Sequence, residues 1–207
     1  MVSKSRSLKR IVYLISPNKI YSNFFADLQK VLSSKKVFFF QLRLKNSNNK
    51  QIIKIAKKIK PITAKYKVKF LINDSYKIAK KVNSDGCHLG QSDGSIHLAK
   101  KNLKNKVIGV TCHNSKILAL KAVKEKASYV AFGSFFKSKL KPNAKRTSLK
   151  ILIWAKKNIK KPIVAIGGVN EKNYKKLIKA GANYIAISSF IWNNPFLKPE
   201  SAIKKFK

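Results

Sequence analysis

The chain has 207 residues, a hydrophobic share of 44% and a formal charge of +40. That length favours one domain over residues 1–207, with a core that needs no disulfide or metal staple, and the apolar share excludes a disordered chain. Apolar runs reach about five residues, as at Ile11–Ile15, far short of the roughly 20 that a membrane-spanning helix needs. The basic N-terminus lacks the apolar stretch of about 7 to 15 residues that marks a secretory signal. With two cysteines, the expectation is a reducing cytoplasm. The charge comes from 47 Lys and Arg against seven Asp and Glu, and only Arg6, Arg10, Arg43 and Arg146 are arginines. Nucleic-acid recognition draws on the planar fork of Arg. The lysines are instead scattered over nearly every helical segment, which reads as coding bias. Non-specific, salt-sensitive attraction to polyanions is expected, and a specific nucleic-acid partner is not.

Short β-rich runs alternate with helical segments along the chain. The expected strands are Arg10–Ile15, Val37–Leu42, Val68–Ile72, Gly86–Leu89, Val107–Val110, Tyr129–Gly133, Ile163–Ile166 and Tyr184–Ile187. The helices between them run over about Asn23–Ser33, Lys50–Tyr66, Tyr76–Val82, Ser95–Leu103, Ser115–Lys126, Ser148–Asn158, Glu171–Ala180 and Pro199–Phe206. Ile52, Ile55, Ala56 and Ile59 follow the spacing of one buried helical face. Gly181 follows the seventh helix as a C-terminal cap. Strict alternation demands parallel strands with helical crossovers. Eight units in a row predict a closed (β/α)8 TIM barrel, an α/β fold, with an open doubly wound sheet as the competitor. The barrel would carry its active site at the C-terminal strand ends.

The chemically capable residues gather at those ends. Alternation along the second strand puts Gln41, Arg43 and Lys45 on one face, and Phe38, Phe40, Leu42 and Leu44 on the other, against helices. Two cations and an amide at the mouth suit a polyphosphate. Asn73-Asp74 ends the third strand, and Gln91-Ser92-Asp93 follows the fourth. Mg2+ is usually held by one or two carboxylates, with waters and substrate phosphates completing the shell. Asp74 and Asp93 therefore point to a hard divalent metal and a phosphorylated small-molecule substrate. Asp85, at the opposite end of the fourth strand, reads as structural. Thr111-Cys112-His113 closes the fifth strand. Cys87-His88 and Cys112-His113 imitate a zinc set, but neighbours on a strand face opposite ways, so the cysteines read as small buried residues. Gly133–Pro142 is long enough to be a substrate loop, or simply a solvated one. Gly167-Gly168 and Ser188-Ser189 follow the last two strands, where these barrels often cradle phosphate.

Five strings in order resemble the thiamine-phosphate synthase family: Gln41–Lys45, Leu71–Asp74, Asp85–Asp93, Ile108–His113 and Val164–Asn170. The likeness spans about residues 10 to 195, and the Asp85–Asp93 string is highly specific. It implies a barrel enzyme that joins a pyrimidine diphosphate to a thiazole phosphate, giving thiamine phosphate and pyrophosphate. On that resemblance Gln41, Arg43, Lys45, Asn73, Thr111 and Lys141 hold the pyrimidine diphosphate. Arg43, Lys45, Thr111 and Lys141 are the candidate catalytic groups among them. Asp74 and Asp93 would bind Mg2+. Ser138, Lys139, Leu140, Gly168, Ser188 and Ser189 would meet the thiazole phosphate.

The sixth-strand loop departs from the family pattern of Gly-Pro followed by Pro-Thr-x-Thr-Lys. Ser134 and Lys137 replace the prolines, Ser138 and Leu140 the threonines, and Arg146-Thr147 stands where Pro-Gly is usual. Thr111 replaces a usual serine. The alternatives are a thiazole-tautomerase-like barrel using His113 as acid and base, or a degenerate protein that binds phosphorylated ligands. Paired aspartates favour the synthase. A homo-oligomer is left open.

Overall fold

In a computed structural model the described residues are 10–137 and 146–207. Eight strands form a closed parallel barrel in sequence order. They are β1 (Val12–Ile15), β2 (Val37–Leu42), β3 (Lys69–Asn73), β4 (Gly86–Leu89), β5 (Val107–His113), β6 (Tyr129–Phe132), β7 (Ile163–Ile166) and β8 (Tyr184–Ile187). β8 returns to β1 through Val12 opposite Ile185, which removes both sheet edges.

The helices are α1 (Phe24–Ser33), α2 (Asn49–Lys65), α3 (Tyr76–Val82), α4 (Ile96–Asn102), α5 (Lys116–Lys124), α6 (Lys150–Asn158), α7 (Tyr174–Ala180), α8 (Ser189–Trp192) and α9 (Pro199–Lys204). Their starts at the barrel mouth are fixed by side-chain caps. Ser75, Ser95 and Ser115 accept from the backbone N–H of Ile78, Leu98 and Leu118 and so begin α3, α4 and α5. Asn48 and Gln51 form a reciprocal capping box at α2. These caps determine where the loops after β2 to β5 end, and those loops carry most of the candidate site.

Alternation divides the core into two layers. Outward residues such as Phe40, Phe70, Cys87, Ile108 and Ile185 pack on the helices. Inward residues Tyr13, Phe39, Leu71, Tyr129, Val164 and Ala186 fill the barrel. Two expectations along the strands fail locally. Phe38 was expected against helices, but a register irregularity where β1 meets β2 brings it toward the inner layer beside Phe39, stacked on Tyr184. β5 runs on to His113 rather than ending at Val110. The four-residue α8 is an element the sequence pattern did not suggest, being shorter than any periodicity can reveal.

Candidate active site

The β2 end supplies the first group of side chains. Gln41 is buried, and its amide donates to Asn73 Oδ1 at the end of β3, at 2.9 Å. Beyond β2, the Arg43 guanidinium donates to Asn18 Oδ1 at 3.0 Å, and the Arg43 N–H donates to Ser16 Oγ at 2.9 Å. The loop after β1 thus orients Arg43. Burial pulls the Arg43 pKa downward, and the charge of Asp74 opposes that pull. Lys45 is exposed and contributes to the same field, lowering the Asp74 pKa.

Asp74 follows β3 with φ 63°, its N–H donating to the His88 carbonyl on β4 at 2.8 Å. Short polar residues tolerate that left-handed turn better than most. The turn brings the carboxyl close to that of Asp93. Burial, then the hydrogen bond and charge of Asp93, raise the Asp74 pKa to about 6, while Lys45 and Arg43 pull it down. Asp93 in turn accepts from the Gly90 N–H at 2.7 Å, which closes the loop after β4. Two carboxylates pressed together in this way form an all-oxygen donor set suited to a hard cation.

Thr111 lies on β5, its hydroxyl 2.8 Å from His88 Nε2, while the Gln91 amide donates to its carbonyl. His88 Nδ1 lies 2.8 Å from the Tyr129 hydroxyl, which is 2.7 Å from that of Tyr13. Burial pushes the His88 pKa down to about 4. Neither tyrosine was singled out in the sequence reading, and His88 entered it only as part of the discounted zinc set. The signal was available: Cys87 facing outward obliges His88 to face inward. Which residues it would meet across the barrel was not readable.

The other half of the mouth is built from backbone. Gly167 and Gly168 have φ 107° and 61° and lie under the segment leaving β6. A Cβ on Gly167 would stand 2.0 Å from Ser134 Oγ, and one on Gly168 would stand 2.3 Å from the Lys137 carbonyl oxygen. Their smallness serves this close approach as well as any anion. The Ser188 hydroxyl donates to the Ser16 carbonyl at 3.0 Å, and Ser189 opens α8. Ser138, Lys139, Leu140 and Lys141 lie outside the described residues.

Asp85 accepts from the Phe70 N–H at 2.8 Å and sits 3.5 Å from the Lys69 ammonium, at the far end of the barrel from the site, as expected of a structural residue. Cys87 and Cys112 are fully buried in the outer layer, and burial pushes both thiols up to about 12. His113 is exposed, with φ 51°. The two Cys-His pairs therefore do not converge.

Comparison with known proteins bears on what this mouth does. The profile of the family described as thiamine monophosphate synthase matches residues 12–191. A thiamine-phosphate synthase of Pelagibacter ubique is 57% identical over 200 residues, covering 96% of this chain and 97% of that protein. One of Erythrobacter litoralis is 40% identical, covering 88% of each. Among solved structures, the thiamine phosphate pyrophosphorylase of Pyrococcus furiosus superposes with a TM-score of 0.84 at 28% identity, covering 96% of this chain and 94% of that one.

Proposed function

The chain belongs to the thiamine monophosphate synthase family and is a transferase that makes thiamine phosphate; on that premise we propose that Asp74 and Asp93 hold Mg2+ while the β2–β5 side of the mouth binds the pyrimidine diphosphate. The observation that carries this reading is the carboxylate pair: burial first, and then the neighbouring Asp93, raise Asp74 to about 6, a cost that a bound cation would offset. When bound, Mg2+ supplies positive charge to the diphosphate leaving group. Among the described residues no group of three or more His, Cys, Asp and Glu side chains gathers. Two carboxylates with waters and substrate phosphates make up a typical Mg2+ shell.

The remaining work falls to the chain's own groups. Arg43 and Lys45 neutralise the diphosphate, and the Gln41–Asn73 pair sets the polar floor beneath it. Lys141 adds a further cation on the family resemblance. The C–O bond to the diphosphate breaks with its electron pair leaving on pyrophosphate. The thiazole nitrogen then gives its lone pair to the pyrimidinylmethyl carbon. No protein nucleophile takes part, so orientation and charge do the catalysis. Gly168, Ser188 and Ser189, with Ser138, Lys139 and Leu140, would receive the thiazole phosphate. α8 supports this assignment, because a short extra helix after the eighth strand is a recurrent phosphate site in such barrels.

The test incubates purified protein with the pyrimidine diphosphate, the thiazole phosphate and Mg2+ and measures pyrophosphate. Metal-dependent release is expected. Ligand binding without release would instead identify a degenerate binding protein.

A further inference from the structure

Tyr13, Tyr129, His88 and Thr111 make an unbroken line of three hydrogen bonds from the barrel's interior to its mouth, of 2.7, 2.8 and 2.8 Å. Tyr13 and Tyr129 are each 1% exposed. The line is built rather than incidental. The His88 ring stacks on the Tyr129 ring at 18° and 5.7 Å between centroids. Gly109 makes room for it: a Cβ there would stand 1.9 Å from the Tyr129 ring and 2.1 Å from its hydroxyl oxygen. Gly109 is the strand partner of both His88 and Tyr129, so all three lie at one level of the barrel.

Such a line can run in two directions, and its closed end decides between them. Among the described residues the Tyr13 hydroxyl has one partner, Tyr129. If Tyr129 donated to Tyr13, the buried Tyr13 proton would be left without an acceptor among the described residues, a costly arrangement. Tyr13 therefore donates to Tyr129. Tyr129, with a single proton, donates to His88 Nδ1. The ring nitrogen that accepts carries no hydrogen, so His88 bears its proton on Nε2 and donates to Thr111 Oγ1. A doubly protonated ring fails on the same count, because it would turn Tyr129 back toward Tyr13.

We propose that this directional line makes Tyr13, Tyr129 and His88 positioning residues that leave the Thr111 hydroxyl as a donor to the bound pyrimidine diphosphate. The assignment of Thr111 to that substrate rests on the function proposed above. Diphosphate oxygens accept only, so a Thr111 whose own proton were spent on His88 would present a lone pair to a lone pair. With the line running outward, that proton is free, and its bond strengthens as charge builds on the leaving group.

The test is the nitrogen NMR spectrum of His88 in the full chain labelled with 15N-histidine, with His97→Gln and His113→Gln removing the other two rings. The expected spectrum has protonated Nε2 and an unprotonated Nδ1 that shows the upfield shift of a hydrogen-bond acceptor. Tyr13→Phe keeps that tautomer, because Tyr129 then becomes the closed end. Tyr129→Phe moves the Nδ1 resonance downfield and lowers kcat about tenfold, the worth of one well-aimed hydrogen bond, with KM for the pyrimidine diphosphate little changed. A proton on Nδ1 in the otherwise unaltered chain overturns the inference, whether or not the tyrosine variants fold. Pyrophosphate release, measured on the same preparation, decides the proposed function separately.

Discussion

The two halves of the barrel mouth are made of different materials. From β2 to β5 the site consists of side chains fixed by other side chains: Gln41 by Asn73, Arg43 by Asn18 of the loop after β1, and Thr111 by His88, with Asp74 set beside Asp93. From β6 to β8 the described part is largely backbone, with Gly167 and Gly168 pressed against residues 134–137 and the Ser188 hydroxyl tied to the Ser16 carbonyl. The first half should respond to changes of charge at constant shape. The second should respond to a single added methyl group. A leaving group with several negative charges needs fixed cations and acceptors, whereas a closely fitted loop needs space.

The largest expected effect follows from the carboxylate pair. Asp74→Asn or Asp93→Asn keeps the shape and, at Asp93, an acceptor for the Gly90 N–H. Turnover should fall roughly 10²- to 10³-fold, as when one main electrostatic stabiliser is lost, with the melting temperature preserved. Full Mg2+-dependent turnover in either variant would show that the pair is not the metal site.

Gly168→Ala probes the other half. A non-glycine residue at φ 61° costs roughly 1–2 kcal/mol, and its Cβ would meet the Lys137 carbonyl oxygen at 2.3 Å. Thermal melting should show that loss, and KM for the thiazole phosphate should rise more than KM for the pyrimidine diphosphate. Equal rises in both would dissolve the distinction between the halves.

Arg43→Lys keeps the charge and loses the planar fork that reaches Asn18. KM for the pyrimidine diphosphate should rise about tenfold, the scale of one charge-assisted hydrogen bond. An unchanged KM would mean that charge alone suffices there.

The smallest effect is a pH dependence. Asp74 rises from an ordinary 3.8 to about 6 in the folded, metal-free chain. A raised folded-state value means the fold holds that proton more tightly than the unfolded chain does. Its contribution to stability is therefore fully present below 3.8 and is lost as pH rises through about 6. Mg2+ competes for the same oxygens, so calorimetric Mg2+ affinity should weaken as pH falls below about 6 and level off above it. Affinity independent of pH across that value would contradict either the raised Asp74 value or its part in holding the metal.

The architecture was legible in the sequence because alternation is a local property. Runs such as Val68–Ile72 and Ile163–Ile166, each followed by a helical period, require parallel strands with crossovers. Asp74 and Asp93 were legible for a related reason: Asp74 follows β3 directly, Asp93 lies in the short loop after β4, and strand ends in a barrel share one rim. Family resemblance then gave these two, with Gln41, Arg43, Lys45, Asn73 and Thr111, their tasks. Phe38 shows where local reasoning stops, since a shift in pairing with β1 reversed its face and nothing in the Val37–Leu42 string announces that.

By itself, then, the sequence determined the barrel, the rim and the residues standing on it, because periodicity and strand ends depend on near neighbours. Only the tertiary structure decided which rim residues touch and which way their protons point. Tyr13 and Tyr129 are 116 positions apart and meet at 2.7 Å only because the sheet closes on itself. Gly109, an ordinary strand glycine in the sequence, becomes the gap through which Tyr129 reaches His88. Hydrogen-bond direction is set by which group is left without a partner, and that depends on the whole enclosure.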